Sequence, residues 1–274
     1  MKITTLIENN TNYSRPELNA EHGVSFYIEY HGHTMMSDVS QSEKFAENAS
    51  RLGIDLKLVE ALAISHHHYD HGGGLPRFFK ENDRAKVYLR ESPDVDYILE
   101  KDDGSVRYIG LDRDLLKTHS DRIVYIGKNT EVFPGFHLLT DILEDFPKPA
   151  GDRWLKAQCG DRIMMDTFKH EIVTVLENER GLVILTGCGH NGVLNMIAAA
   201  RRALPDKPIL AVVGGFHMLK EEKSTVRKVG EELLAMEIPA IYTGHCTGKD
   251  AVIVLEDVLG NRLHRLCSGL VMEF

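Results

Sequence analysis

No apolar run in this 274-residue chain approaches the length that crosses a bilayer, which excludes a helical membrane protein. The opening residues, Met1-Lys2-Ile3-Thr4, lack the apolar core of a signal peptide. Cysteine is scarce: Cys159, Cys188, Cys246 and Cys267 are scattered without a disulfide framework, so a reducing cytoplasm is the expected compartment. Basic excess is missing too. Lys and Arg number 32 against 41 Asp and Glu, a net charge of −9, which argues against a nucleic-acid backbone or an anionic membrane as partner. A phosphorylated small molecule is not excluded, because metal ions can supply local positive charge. Short repeats are absent and no linker divides the chain, so one domain over residues 1–274 is expected. The 43% hydrophobic content is enough for a sizeable core.

What is present is concentrated in Ser65-His66-His67-His68-Tyr69-Asp70-His71-Gly72-Gly73-Gly74, directly after the apolar run Leu62 to Ile64. His66, His68, Asp70 and His71 give the spacing H-x-H-x-D-H. Three imidazoles and a carboxylate so close together suit a divalent cation, which takes neutral imidazole and ionised carboxylate as ligands. Residues two apart in an extended stretch point the same way, so His66 and His68 can grip one ion. After the turn, Asp70 and His71 can face a second. A solvated histidine-rich loop or a tag-like cluster is the bland alternative. The cluster instead sits between a strand and the helix-like segment Leu75 to Lys80, the context of a site at a strand's C-terminal end.

Strands are expected over residues 3–7, 24–30 and 33–38, the last two forming a hairpin about His31-Gly32. Ser40 and Glu43 fit a capping box opening a helix from Glu43 to Leu52, with Gly53 as its stop. Lys86–Leu89, Ile123–Ile126 and His137–Thr140 read as further strands. Residues 91–120 read as an irregular excursion at the rim. Residues 141–165, with Pro147, Pro149, Gly151 and the lone Trp154, read as a lid or rim loop. Ile172–Leu176 and Leu182–Thr186 form a hairpin-like pair. Helices at 193–204, 223–236 and 250–259 then alternate with strands at 209–213 and 240–243, which favours an α/β class.

With these blocks in view, the chain resembles the metallo-β-lactamase superfamily, whose signature is this H-x-H-x-D-H. It is more narrowly similar to the dihydropterin or ribofuranosylaminobenzene 5'-phosphate synthase-like branch of metal-dependent hydrolases. The narrower likeness is carried by Glu8-Asn9-Asn10, Ala20 to Ser25, Ser37 to Ser42, Asp166 to Glu171, Thr186 to Gly192, Gly214 to His217 and Gly244 to Gly248. Ser40 and His67 stand where such proteins usually carry glycine. The resemblance implies a four-layer αββα sandwich of two mixed β-sheets flanked by helices, with the metals in the groove between them.

It also implies ligands. His245 would be the last ligand of the second ion. For the first ion, His66 and His68 need a third partner, and His190 is expected, with His170 as a rival. Should His170 be the ligand, His190 lines the pocket and Cys188, at the place of a bridging aspartate in most relatives, bridges the ions as a thiolate. Should His190 be the ligand, His170 stands behind the ligands or contacts substrate. Asp38 is expected to support a ligand histidine. His217 is a candidate proton donor or substrate contact, with a structural hydrogen bond as the alternative, and His22 carries the same ambiguity. Cys246 is expected to pack. Backbone N–H groups around Gly73 and Gly74 are candidates to hold an anionic group.

The activity implied is a binuclear metal-dependent hydrolase, cytoplasmic, acting on a small, phosphorylated or pterin-like substrate through a metal-bridging hydroxide oriented by Asp70. Two divalent ions are expected, zinc by default, iron or manganese as alternatives. The first rival is the synthase chemistry of the branch, joining a pterin methyl group to a ribosylated aminobenzoate-derived phosphate. A di-iron redox protein and a non-catalytic sensor rank lower. No nucleic-acid or membrane partner is expected, and homo-oligomerisation is left open.

Overall fold

The computed structural model describes residues 1–274. Its elements in chain order begin with β1 (Lys2–Ile7), β2 (Ser25–Tyr30), β3 (His33–Ser37), α1 (Lys44–Arg51), β4 (Ala61–Ala63), α2 (Tyr69–Gly72), α3 (Leu75–Glu81) and β5 (Lys86–Arg90). There follow β6 (Asp96–Glu100), β7 (Val106–Tyr108), α4 (Arg113–Thr118), β8 (Ile123–Ile126), β9 (Thr130–Phe133), β10 (Phe136–Leu139), β11 (Leu155–Cys159) and β12 (Arg162–Met165). The chain ends with β13 (Val173–Asn178), β14 (Gly181–Leu185), α5 (Val193–Ala203), β15 (Ile209–Gly214), α6 (Lys223–Ala235), β16 (Ala240–Thr243), α7 (Lys249–Leu259), β17 (Leu263–Arg265) and β18 (Val271–Glu273).

Two seven-stranded mixed sheets dominate, ordered β18-β1-β2-β3-β4-β5-β8 and β17-β16-β15-β14-β13-β10-β9. In β14 every residue is apolar or glycine because both faces are covered. Val183 and Leu185 point to the sheet–sheet core beside Phe26, Ile28 and Phe136, whereas Leu182 and Ile184 point to the core beneath α5, α6 and α7. The other sheet repeats the arrangement: Leu62, Val87 and Leu89 meet Phe45 and Ala49 of α1 and Phe78 of α3 on its outer face. The layering is therefore αββα.

Three expectations are corrected. The segment 91–120 carries β6, β7 and α4, and the segment 141–165 carries β11 and β12 behind a short 3₁₀ turn, Ala150–Trp154. These strands join into a third sheet, β12-β11-β6-β7. The capping box does not form: Ser40 donates to Glu21 Oε1 at 2.9 Å, and α1 opens after Glu43 without a side-chain cap. The carboxylate of Glu21 outcompetes the helix for that hydroxyl.

Candidate metal centre

Five strands of the two sheets, β3, β4, β14, β15 and β16, release the chain at one end of the sandwich, where their loops converge. Backbone conformation there is unusual. Asp38, His217 and His245 all adopt left-handed φ, at 59°, 49° and 46°, a conformation that persists in non-glycine residues when the surroundings over-determine it. Buried carboxylates pin the backbone of these loops. Glu8 on the neighbouring sheet accepts the His245 N–H. Glu171 accepts the N–H groups of His190 and Asn191 at 2.9 and 2.8 Å. Asp38 accepts the Ser65 N–H at 2.7 Å.

The first cluster is His66, His68 and His190, all buried, with ligand atoms within 4.8 Å of one another. The Nε2 atoms of all three lack a hydrogen-bond partner. His190 Nδ1 donates to Asp152 Oδ1 at 2.7 Å, which fixes the tautomer and leaves the Nε2 lone pair facing inward. Ser65 Oγ lies 2.9 Å from His66 Nδ1. Burial, followed by repulsion from neighbouring histidines, holds His66 and His190 well below the usual imidazole range and His68 down at about 3. Three neutral, buried, unpartnered nitrogens converging on one point are costly unless a cation uses them, so the residues fit a metal ion.

The second cluster is Asp70, His71, Cys188 and His245. His71 Nε2 lies 3.2 Å from His245 Nε2 and 3.2 Å from Cys188 Sγ. Asp70 Oδ2 lies 3.7 Å from His71 Nε2 and 3.5 Å from His245 Nε2. Burial opposes ionisation of Asp70, but His71, His22 and His245 outweigh it and hold the carboxyl well below its usual range. Burial likewise opposes protonation of His71, yet the charges of Asp38 and Asp70 raise it to about 9. Burial pushes the Cys188 thiol well up. Anionic and imidazole donors so assembled fit a second cation.

The two histidines proposed for one role are separated by the structure. His170 spends both ring nitrogens away from the first cluster, Nε2 on Asp166 Oδ2 at 3.0 Å and Nδ1 on the His67 N–H at 3.1 Å. His170 also groups with His68 and Asp166, on the side of His68 away from His71 and His245 that Asp166 occupies. Asp38 supports His71 through Nδ1 at 2.7 Å. His22 Nε2 lies 3.1 Å from Asp70 Oδ2, and its ring packs on His245. His217 lies against His190, with Nε2 3.4 Å from Asp152 Oδ1 and Nδ1 unpartnered. Cys246 Sγ donates to the Cys188 carbonyl at 3.2 Å. Gly73 and Gly74 do not present free donors. Their N–H groups bond to the Tyr69 and Ser40 carbonyls, and a Cβ at Gly74 would lie 2.2 Å from Val39 O. They are glycines because backbones pass close there.

Sequence reasoning missed Asp152, and it assigned no roles to Glu8, Asn9, Asp166 or Glu171, although their blocks carry the family likeness. Asp152 sits in the 141–165 segment among prolines and glycines, where nothing in the local pattern marks a ligand support. Burial, with Glu171 and Asp166 close by, pushes its carboxyl up to about 8 despite His217. His68, Asp70, Cys188, His190 and His245 floor a cleft of about 1460 Å³ whose walls include Leu99 and Arg107 from the third sheet and Lys101 from the turn between β6 and β7.

Converging histidines at the strand ends of an αββα sandwich make a candidate metal centre on a metallo-β-lactamase fold. Residues 18–94 match the model of the metallo-beta-lactamase superfamily. It is similar over its whole length to Tm1679, described as a metal-dependent hydrolase of the beta-lactamase superfamily. Identity is 27%, the TM-score is 0.85, and 100% of this chain and 99% of that one are covered. A second relative is the 7,8-dihydropterin-6-methyl-4-(beta-D-ribofuranosyl)-aminobenzene-5'-phosphate synthase of Methanocaldococcus jannaschii, 25% identical over 287 residues, covering 100% of this chain and 97% of that one. Zn(2+)-bound PqqB from Methylobacterium extorquens, at 11% identity and a TM-score of 0.57 with complete coverage of both chains, shares the fold.

Proposed function

We propose that this chain is a two-metal hydrolase acting on a small, phosphorylated or pterin-like molecule. The observation that carries the reading is the trio of inward-turned, unpartnered Nε2 atoms beside the Asp70, His71, Cys188 and His245 quartet at the floor of a large cleft. His66, His68 and His190 would hold one cation, and Asp70, His71 and His245 the other. Divalent cations so held supply Lewis acidity and, for zinc, lower the pKa of water from 15.7 to about 7.

The chain's own groups do the rest. Asp70, kept ionised by its histidines, orients the attacking water and accepts from His22. His217, braced through Nε2 on Asp152, has its Nδ1 free to hand a proton to the leaving group. At the rim, Lys101, Arg107, Lys220, Lys223, Lys249 and Arg265 are matched by Glu100, Asp102, Asp103, Glu221, Glu222 and Asp250. That balance suits a polar substrate better than an apolar one.

A second reading is favoured by the likeness to the archaeal synthase: the same floor would activate a pterin diphosphate toward an arylamine. The metal-loaded protein is incubated with a panel of phosphoesters and, separately, with a pterin diphosphate plus an arylamine phosphate. Water-dependent release of phosphate or alcohol is expected. A coupled pterin–arylamine product, with no hydrolysis of any phosphoester, overturns the hydrolase reading in favour of the synthase.

A further inference from the structure

The Asn9 side chain sits between two histidines of the cleft, His22 and His245, and meets a ring nitrogen of each. Its amide can point only one way. The Gly23 N–H, which can only donate, lies 3.0 Å from Asn9 Oδ1, so that atom is the carbonyl oxygen and the other is the NH2 nitrogen.

The tautomers of both rings follow from that orientation. Asn9 Oδ1 lies 2.9 Å from His245 Nδ1, and an oxygen acceptor there requires a proton on Nδ1. The His245 Nε2 lone pair then faces Asp70, His71 and Cys188. Asn9 Nδ2 lies 3.2 Å from His22 Nδ1, and an NH2 donor there requires a bare Nδ1. The one proton of neutral His22 is then on Nε2, 3.1 Å from Asp70 Oδ2, where it donates to the carboxylate.

Backbone on both sides holds the amide in place. Glu8 donates its N–H to Ser268 Oγ at 3.1 Å, and its carboxylate accepts from the Asn10 and His245 N–H groups. Asn10 Nδ2 donates to the Leu266 carbonyl at 3.1 Å. Gly23 has a φ of 138°, and a Cβ there would lie 2.6 Å from Asp70 O, so the loop bearing His22 passes directly over the Asp70 backbone. The His22 side chain is still 49% exposed, and its fixed points are Asn9, Asp70 and the face of His245.

We propose that Asn9 is a positioning residue that sets two tautomers at once: Nδ1–H on His245, which turns that ring's lone pair toward the second cluster, and Nε2–H on His22, which commits that proton to Asp70. His22 is thereby withdrawn from protonating a leaving group. The use of the His245 lone pair rests on the two-cation reading above, whereas the tautomers themselves exist without metal.

Metal-free full-length protein carrying nitrogen-15 histidine is studied by two-bond proton–nitrogen correlation at mildly alkaline pH, with His22→Gln and His245→Gln giving the assignments. His245 should show a protonated Nδ1 and His22 a protonated Nε2. Asn9→Asp keeps the acceptor and loses the donor, so His245 should hold its pattern while His22 Nδ1 changes from bare to protonated. Asn9→Ala loses both, so His245 should shift toward its Nε2–H form, and zinc affinity at the second site should fall roughly 10–100-fold in chelator competition. A wild type with the proton on His245 Nε2, or with a protonated Nδ1 on neutral His22, overturns the proposal. So does an unchanged His22 pattern in Asn9→Asp. A wild type that shows both tautomers yet takes up fewer than two zinc ions upholds the role of Asn9 and overturns the two-cation reading. Should Asn9→Ala fail to fold, the wild type and the near-isosteric Asn9→Asp decide the matter.

Discussion

An imidazole becomes a dependable ligand when a partner on its second nitrogen dictates the tautomer. His190 has that partner in Asp152 and offers an unpaired Nε2, whereas His170 has both nitrogens committed to Asp166 and to the backbone of His67. His190→Ala should therefore lose one of two bound ions, and His170→Ala should keep both, read by elemental analysis of purified protein. Asp152→Asn replaces the carboxyl with an amide at little change in volume, and a roughly 10–100-fold weaker affinity at the first site is expected from chelator competition. Equal losses in the two histidine variants would refute the assignment. The H-x-H-x-D-H side chains that the fold gathers were legible in the sequence because they are local. Asp152, 38 residues before His190, was not, since its role exists only when the Ala150–Trp154 turn is folded over the site.

At the scale of elements, the motif depends on how closely the start of α3 approaches α1 and the loop before it. A Cβ on Gly74 would meet Val39 O at 2.2 Å, Phe45 Cε1 at 2.7 Å and Ser42 O at 2.9 Å, two of them backbone atoms that cannot swing away. Gly74→Ala should cost about 1–3 kcal/mol by urea unfolding, as overpacking does. Gly127→Ala, with nothing within 4 Å, should stay within about 0.5 kcal/mol. Comparable losses in both would remove the steric argument. The buried sheets could be read from sequence because their strands are runs of Val, Ile and Leu, as in β14 and β15. The third sheet could not. Every residue of β7 and β12 is exposed, so no apolar alternation marks them, and the two hairpins they close become one sheet only through the pairing of β6 with β11, far along the chain. Ser40 misled for a related reason: Glu21, its hydrogen-bond partner, lies on a separate loop.

Taken as a whole, the molecule places His66, His68, Asp70 and His71 on loops of one sheet and Cys188, His190 and His245 on loops of the other. Bound cations would cross-link the two sheets, and free ion at about a thousand times Kd stabilises by about 4.1 kcal/mol per site. Chelation should lower the unfolding midpoint accordingly, and the pH dependence of the chelated protein follows from its histidines. His66, His68 and His190 are depressed in the fold, His68 to about 3, against about 6.5 when unfolded. Below about pH 6.5 the unfolded chain binds more protons than the fold, so stability falls as pH drops. His71 has the opposite sign. Burial works against its proton, but Asp38 and Asp70 raise it to about 9, so its contribution is complete below about pH 6.5 and is lost as pH rises toward 9. Urea midpoints of the chelated protein should therefore peak near pH ~6.5 and decline on both sides. The zinc-loaded protein, whose ligands are already deprotonated, should decline on the acid side alone. A chelated protein whose midpoint climbs steadily to pH ~9 would contradict the pairing of His71 with Asp38 and Asp70 that sets the second cluster's geometry.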